Sequence, residues 1–171
     1  GFSDITALHM ALQKKAGYPS VHDTGLIFLW GDAENRPYAF RHLQTLISCG
    51  KGEMPEAFAD WGSDTHDAVQ PPVIKVLREG CVKGKLLGGN LSIVCSLLGT
   101  PYEPDWKGSI LFLEEVDEDI YRIDRMLCQL RLAGVFDKVN GVMLGTFRDC
   151  EPEEGDPSLT LLESFSDQLG H

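Results

Sequence analysis

Residues 109–145 limit the possible folds more than any other stretch, because a buried-strand run, an amphipathic helix and a second strand run follow one another there. Ser109-Ile110-Leu111-Phe112-Leu113 is apolar, short and rich enough in bulky residues for a buried strand, and it stops at Glu114-Glu115. Ile120, Ile123, Leu127 and Leu130 then share one helical face, a break follows at Gly134, and Gly141-Val142-Met143-Leu144-Gly145 reads as the second strand. A strand, a helix and a strand of these lengths form a βαβ unit, with a parallel sheet and a right-handed crossover. In such sheets functional groups gather beyond the carboxyl ends of the strands, and Glu114 stands at one of those ends. Glu114 and Glu115 equally suit a solvated strand end that favours the next helix start through its dipole.

The flanking stretches are read in the same way. Residues 4–16 place Ile5, Leu8, Ala11 and Leu12 on an apolar helix stripe, closed by Gly17 and Pro19. Residues 25–30 suit a buried strand, and Phe40, Leu43, Leu46 and Ile47 mark a helix within Tyr38 to Cys49. Residues 50–72 loosen into Gly, Pro, Asp and Ser and close with Gln70-Pro71-Pro72, which disfavours helix and makes this the candidate linker. Phe58 and Trp61 within it suit packing, and His66, between Asp64 and Asp67, suits a solvated loop. Val73–Leu77 and Cys81–Leu87 read as short β-type segments. Gly80, Gly84, Gly88 and Gly89 interrupt them, marking turns or places where backbone comes close to another group. A helix through Ile93, Val94, Leu97 and Leu98 follows, and Asn90 is either its N-cap or a polar group where an oxyanion would be favoured. Glu151 to Asp156 form an acidic turn, and Leu159 to Leu169 a last amphipathic helix.

Charge and cysteine usage exclude several classes of function. A net charge of -11 without a basic run argues against nucleic acid and anionic membrane as partners, since both need clustered Lys and Arg. No apolar stretch is long enough to span a bilayer. Cys49, Cys81, Cys95, Cys128 and Cys150 form neither a C-x-x-C pair nor a zinc-ligand pattern, and they read as reduced, buried side chains of a cytosolic protein. H-E-x-x-H, the Walker loop and G-x-G-x-x-G are also absent, so neither a metal nor a nucleotide cofactor is expected.

One polar residue at the start of the chain carries possible chemistry. Gly1-Phe2-Ser3-Asp4-Ile5-Thr6 sets a serine between a glycine-led turn and a helix, where it is either an N-cap or a nucleophile. The full G-x-S-x-G elbow is not present, because Ile5 stands where the second glycine would be. The strand that such a turn requires would lie before Gly1, so the chain is expected to be a piece of a longer protein.

Four ordered motifs resemble the LD-carboxypeptidase family of serine peptidases, which includes the muramoyltetrapeptide carboxypeptidases and the microcin C immunity peptidases. They are Gly-Phe-Ser-Asp-Ile-Thr-Ala-Leu-His at 1–9, Gly-Lys-Leu-Leu-Gly-Gly-Asn-Leu-Ser at 84–92, Leu-Phe-Leu-Glu-Glu-Val at 111–116 and Tyr-Arg-Ile-Asp-Arg-Met-Leu at 121–127. Gly-Thr-Pro-Tyr-Glu-Pro-Asp at 99–105 and Leu-Gly-Thr-Phe at 144–147 fit as well, while 26–70 resemble the family only thinly.

The resemblance implies an α/β protein: the remnant of an N-terminal Rossmann-like domain over 1–49, a linker over 50–72, and a C-terminal α/β domain over 73–171. It further implies a Ser-His-Glu triad. Ser3 matches the nucleophile, the Asp4 backbone N–H the oxyanion donor, and Glu114 the acid, preferred to Glu115 because the family places the acid directly after the apolar strand run. Asn90 would shape the substrate site. The family's histidine lies in a Gly-His segment beyond the Leu-Gly-Thr-Phe block, so His9, His22, His42, His66 and His171 do not match it, and this chain alone is expected to be inactive. Trp30-Gly31-Asp32-Ala33 replaces the family's His-Gly-Pro type turn, which implies altered specificity. The expected activity is release of the terminal D-alanine from murein tetrapeptides during peptidoglycan recycling, in a cytoplasmic homodimer without a metal. The alternatives are a peptidyl-nucleotide substrate of the microcin C type, and a non-catalytic binding module.

Overall fold

The computed structural model describes residues 2–22, 43, 46–48, 75–152, 155 and 157–170. The expected strand at 25–30 and the expected linker at 50–72 lie outside the described residues. Leu43, Leu46, Ile47 and Ser48 are helical, as their spacing predicts.

A three-stranded parallel sheet, ordered β1-β2-β3, organises the described part: β1 (Leu86–Asn90), β2 (Ile110–Val116) and β3 (Gly141–Arg148). Four helices surround it: α1 (Ile5–Ala16), α2 (Leu91–Ser96), α3 (Ile120–Leu132) and α4 (Leu161–Leu169). Each helix of the C-terminal part follows a strand in sequence, as a parallel ladder demands. The mixed α/β class and the parallel sheet agree with the sequence reading. No helix among the described residues is long and apolar enough to cross a membrane.

The βαβ unit forms where its periodicity places it. In α3 the side chains of Ile120, Ile123, Leu127 and Leu130 are all buried, joined in one core by Leu111 and Leu113 of β2, Leu91 and Val94 of α2, Trp106, and Leu161 and Phe165 of α4. Each such side chain contributes roughly 1.5–3 kcal/mol relative to exposure. Gly134 ends the helix region with φ +68°, a left-handed turn that favours glycine. Asp124 Oδ1 accepts hydrogen bonds from Ser164 Oγ at 3.2 Å and Gln168 Nε2 at 2.9 Å, which fastens α3 to α4. Thr160 caps α4 in a reciprocal box with Glu163, a signal the sequence carries as T-x-x-E. The 99–105 motif is scaffold: Glu103 accepts from the Gly99 N–H at 2.7 Å and from the Trp106 indole at 3.0 Å, and Trp106 is among the fully buried side chains.

Three expectations need correction. The first strand is Leu86–Asn90, running through Gly88 and Gly89, and residues 75–85 form no strand. The glycines are there for close approach: a Cβ on Gly88 would run into the Phe112 backbone, and one on Gly89 would meet Thr6 Oγ1 at 2.5 Å. The second strand does not stop at Glu114-Glu115 but continues through both to Val116. The third correction concerns α1, whose predicted stripe is not the buried face: Ile5, Leu8 and Leu12 are exposed, while Thr6 and Met10 are buried.

Candidate active site

Alternation along β2 sends its two consecutive carboxylates to opposite faces. Leu111, Leu113 and Glu115 are buried on the core side, and Phe112 and Glu114 lie half-buried on the other. That second face meets the N-terminal segment, since the His22 ring packs edge-on against Phe112 with centroids 5.2 Å apart and stands 6.0 Å from His9 of α1. Glu114 therefore faces the segment that carries Ser3. Its Oε1 lies 3.6 Å from His22 Nε2, a contact that the sequence did not signal.

Glu114 is placed at an irregularity of the sheet. Leu113 pairs with Leu144 and Glu115 with Phe147, so Gly145 and Thr146 both stand opposite Glu114 in a bulge. Bulges of this kind re-aim a side chain at a strand end. A Cβ on Gly145 would come 3.3 Å from the Leu113 carbonyl, tighter than ordinary contact, so the smallest residue suits the position. The Leu-Gly-Thr-Phe block at 144–147 is this bulge. Burial, and next the neighbouring Glu115 charge, push the Glu114 carboxyl above the ordinary carboxylate range, while the Asn90 amide draws it partly back.

Ser3 departs from the capping role. Its φ is +56°, a left-handed conformation uncommon for a residue other than glycine, and the N-cap of α1 is Asp4, whose side chain makes no capping bond. The serine is exposed, and its hydroxyl forms no hydrogen bond among the described residues. An exposed serine in a strained turn directly before a helix is the local geometry of a nucleophile elbow. The next N–H groups are used within the first turn, with Ile5, Thr6 and Ala7 donating to the carbonyls of Phe2, Ser3 and Asp4. The Asp4 N–H donates to no backbone carbonyl among the described residues, which leaves it available at the helix start.

Two buried polar residues connect this turn to the sheet. Thr6 Oγ1 accepts the Asn90 N–H at 3.1 Å, so the first turn of α1 is bonded to the carboxyl end of β1, and in the parallel register Asn90 is paired with Glu114. The Asn90 side chain is engaged at both ends: Oδ1 accepts from the Ile93 N–H at 3.2 Å as the N-cap of α2, and Nδ2 donates to Glu115 Oε1 at 2.6 Å. Asn90 thus has the capping role that its sequence context allowed. Sequence reasoning missed Thr6, whose one available signal was a polar residue beside an apolar helix stripe, and it read Glu115 as a solvated strand end or the second choice for the acid, whereas Glu115 is buried on the core face. Among the described residues no group of three or more His, Cys, Asp or Glu is placed to hold a metal ion.

Comparisons with known proteins agree with this architecture. The LD-carboxypeptidase C-terminal domain matches residues 83–171, just over half of the chain. A Bacillus subtilis (strain 168) protein named "Probable murein peptide carboxypeptidase" is 32% identical over 169 residues, covering 99% of this chain and 49% of its own. The solved muramoyltetrapeptide carboxypeptidase from Oxalobacter formigenes superposes with a TM-score of 0.76 at 28% identity, covering all of this chain and 53% of its own. The microcin C7 self-immunity protein MccF of Escherichia coli is 28% identical over 95% of this chain and 52% of its own. A structure of a protein of that name, in complex with aspartyl sulfamoyl adenosine, shares the fold with a TM-score of 0.71. The chain spans about half the length of the curated relatives it matches.

Proposed function

Because this chain belongs to the LD-carboxypeptidase family, we propose that the whole protein is a serine carboxypeptidase cleaving an L,D-amide bond, with Ser3 as nucleophile and Glu114 as the acid of a Ser-His-Glu triad. The observation that carries the reading is the left-handed Ser3 at the head of α1, a helix whose first turn is bonded through Thr6 to Asn90, the register partner of Glu114. Residues 1–49 then belong to the nucleophile-bearing domain, 50–72 to the linker and 73–171 to the C-terminal domain, whose match begins at residue 83. The imidazole comes from a segment outside this chain.

In this reading the imidazole takes the Ser3 hydroxyl proton as the oxygen adds to the amide carbonyl, and returns it to the departing amine of the D-amino acid. The Asp4 N–H donates to the oxyanion, a role whose loss elsewhere costs about 10²–10³ in rate. Glu114 orients the imidazole and stabilises its charged form, and a carboxylate with raised proton affinity is a stronger partner for that cation. Asn90 shapes the site from the neighbouring strand. The substrate is a murein tetrapeptide, the product D-alanine, and the setting a cytoplasmic homodimer in peptidoglycan recycling. The relatives named for murein peptides support this choice.

D-alanine release from tetrapeptide by the whole protein tests the reading, and equal rates with and without Ser3→Ala would end it. The second reading, an amide hydrolase acting on a peptidyl-nucleotide, is favoured by the similarity to MccF. Offering both substrates to the same preparation separates the two. If neither is turned over, the non-catalytic alternative stands.

A further inference from the structure

Glu115 sits on the core face of β2 at 5% exposure, yet both its oxygens are fully used. Oε1 accepts from Asn90 Nδ2 at 2.6 Å and from the Val116 N–H at 3.1 Å. Oε2 accepts from the Ser92 N–H at 3.0 Å and from Ser92 Oγ at 2.6 Å. Four donors converging on one side chain require a group that only accepts, which a carboxylate is and an amide is not. A buried carboxylate is otherwise costly, and here the charge-assisted bonds and the start of α2 offset that cost.

The bonds continue outward from Glu115. It holds the Asn90 side chain; the Asn90 N–H is held by Thr6 Oγ1; and the Thr6 N–H donates to the Ser3 carbonyl at 2.9 Å. We propose that Glu115 is a positioning residue for the hydrolysis: it locks the β1–α2 corner to β2 and so fixes where the Ser3 turn stands relative to Glu114. The proposal rests on the reading of Ser3 and Glu114 as the reacting pair. Glu115 also acts on Glu114 by charge. Among the described residues, the groups that act on Glu114 are the Glu115 charge from the other face of its own strand, the Asn90 amide from β1 and His22 from the segment after α1, whose ring stands 6.0 Å from that of His9. β3 presents Gly145 there, which carries no charge.

The test compares Glu115→Gln, Glu115→Asp and Ser92→Ala in the whole protein. Gln keeps the volume but turns an N–H₂ toward donors, so kcat for D-alanine release is expected to fall about 10- to 100-fold, the scale of a misplaced reacting group, with KM within about twofold. Asp, which keeps the charge, is expected to recover part of the loss, and Ser92→Ala, which removes one donor, to lose less than Gln. A folded Glu115→Gln protein with unchanged kcat would overturn the proposal. So would a lowered melting temperature with unchanged kcat in Ser92→Ala, should Gln prevent folding. A readout independent of turnover is the carboxyl titration of Glu114 by ¹³C NMR in the whole protein, whose midpoint is expected to fall in Glu115→Gln; an unmoved midpoint counts against the coupling. Ser3→Ala as a control separates the two levels, because activity surviving in it refutes the nucleophile assignment whatever Glu115 does.

Discussion

α1 and α3 are nearly equal in length, 12 and 13 residues, and both carry apolar residues at helical spacing, yet they use them in opposite ways. α3 buries its whole stripe, with Ile123, Leu127 and Leu130 at 0% exposure. α1 leaves Leu8 58% exposed and turns Thr6, at 0%, onto β1. The difference teaches what orients each helix. α3 is placed by hydrophobic burial, which is non-directional and tolerant of small rotations. α1 is placed by a directional hydrogen bond to Asn90 and by the space above Gly89, and that rotation is the one that brings Ser3 to the carboxyl end of the sheet.

The largest expected effect lies at the α1 end. In the whole protein Ser3→Ala is expected to reduce turnover by about 10⁴-fold or more without altering the fold, as loss of a triad nucleophile does; assays of D-alanine release together with circular dichroism check both parts. Leu127→Ala in α3 follows, with an expected loss of about 2–5 kcal/mol of stability in denaturant unfolding of the 171-residue chain. Leu8→Ala in α1 is its counterpart and is expected to stay within about 0.5 kcal/mol. Equal costs for the two leucines would break the comparison.

Between these lies Thr6→Val, which keeps the shape of the side chain and removes the acceptor for a buried N–H. It is expected to cost about 1–3 kcal/mol, and a negligible cost would mean that α1 is not held by this bond. The last effect, on stability rather than turnover, is expected at Glu114. Its proton affinity is raised in the folded chain, so the native state holds a proton that the unfolded state has released, and stability falls as pH rises from the ordinary carboxylate range through the raised value. Glu114→Gln is therefore expected to melt higher than the parent at pH 7 and level with it well below pH 4, the reverse of what a carboxylate kept for stability would show. Thermal melts at the two pH values measure it.

The neighbouring thiols show the same physics without a function attached. Cys95 is pushed up to about 12 by burial and then by Glu115, and burial raises Cys150 as well, so neither is a nucleophile near neutral pH. These two fit the reading of the cysteines as buried hydrophobes, whereas Cys81 is exposed and Cys128 only partly buried.

Much of the fold was legible because it is written in local periodicity. An unbroken apolar run at 110–113 and a period of about 3.6 at 120–130 each require burial, and βαβ geometry follows from their order. The strand through Gly88 and Gly89 was not legible, since glycines there look like turn residues until a distant backbone and the Thr6 side chain are brought against them. The site divides along the same line. Ser3, Asp4, Glu114 and Asn90 were marked by motif, whereas the exposure of the α1 stripe, the His22 contact and the roles of Thr6 and Glu115 depend on segments up to 92 residues apart, the separation of His22 and Glu114.

By itself the sequence determined the element order, the parallel βαβ unit and the candidate pair Ser3 and Glu114, because these follow from residues close in the chain or from recurring motifs. Only the tertiary structure decided which of two adjacent glutamates faces the Ser3 segment and which fastens the scaffold. Alternation along a strand requires that the two differ, but which face meets α1 and which meets α2 is set by packing against elements far away in sequence.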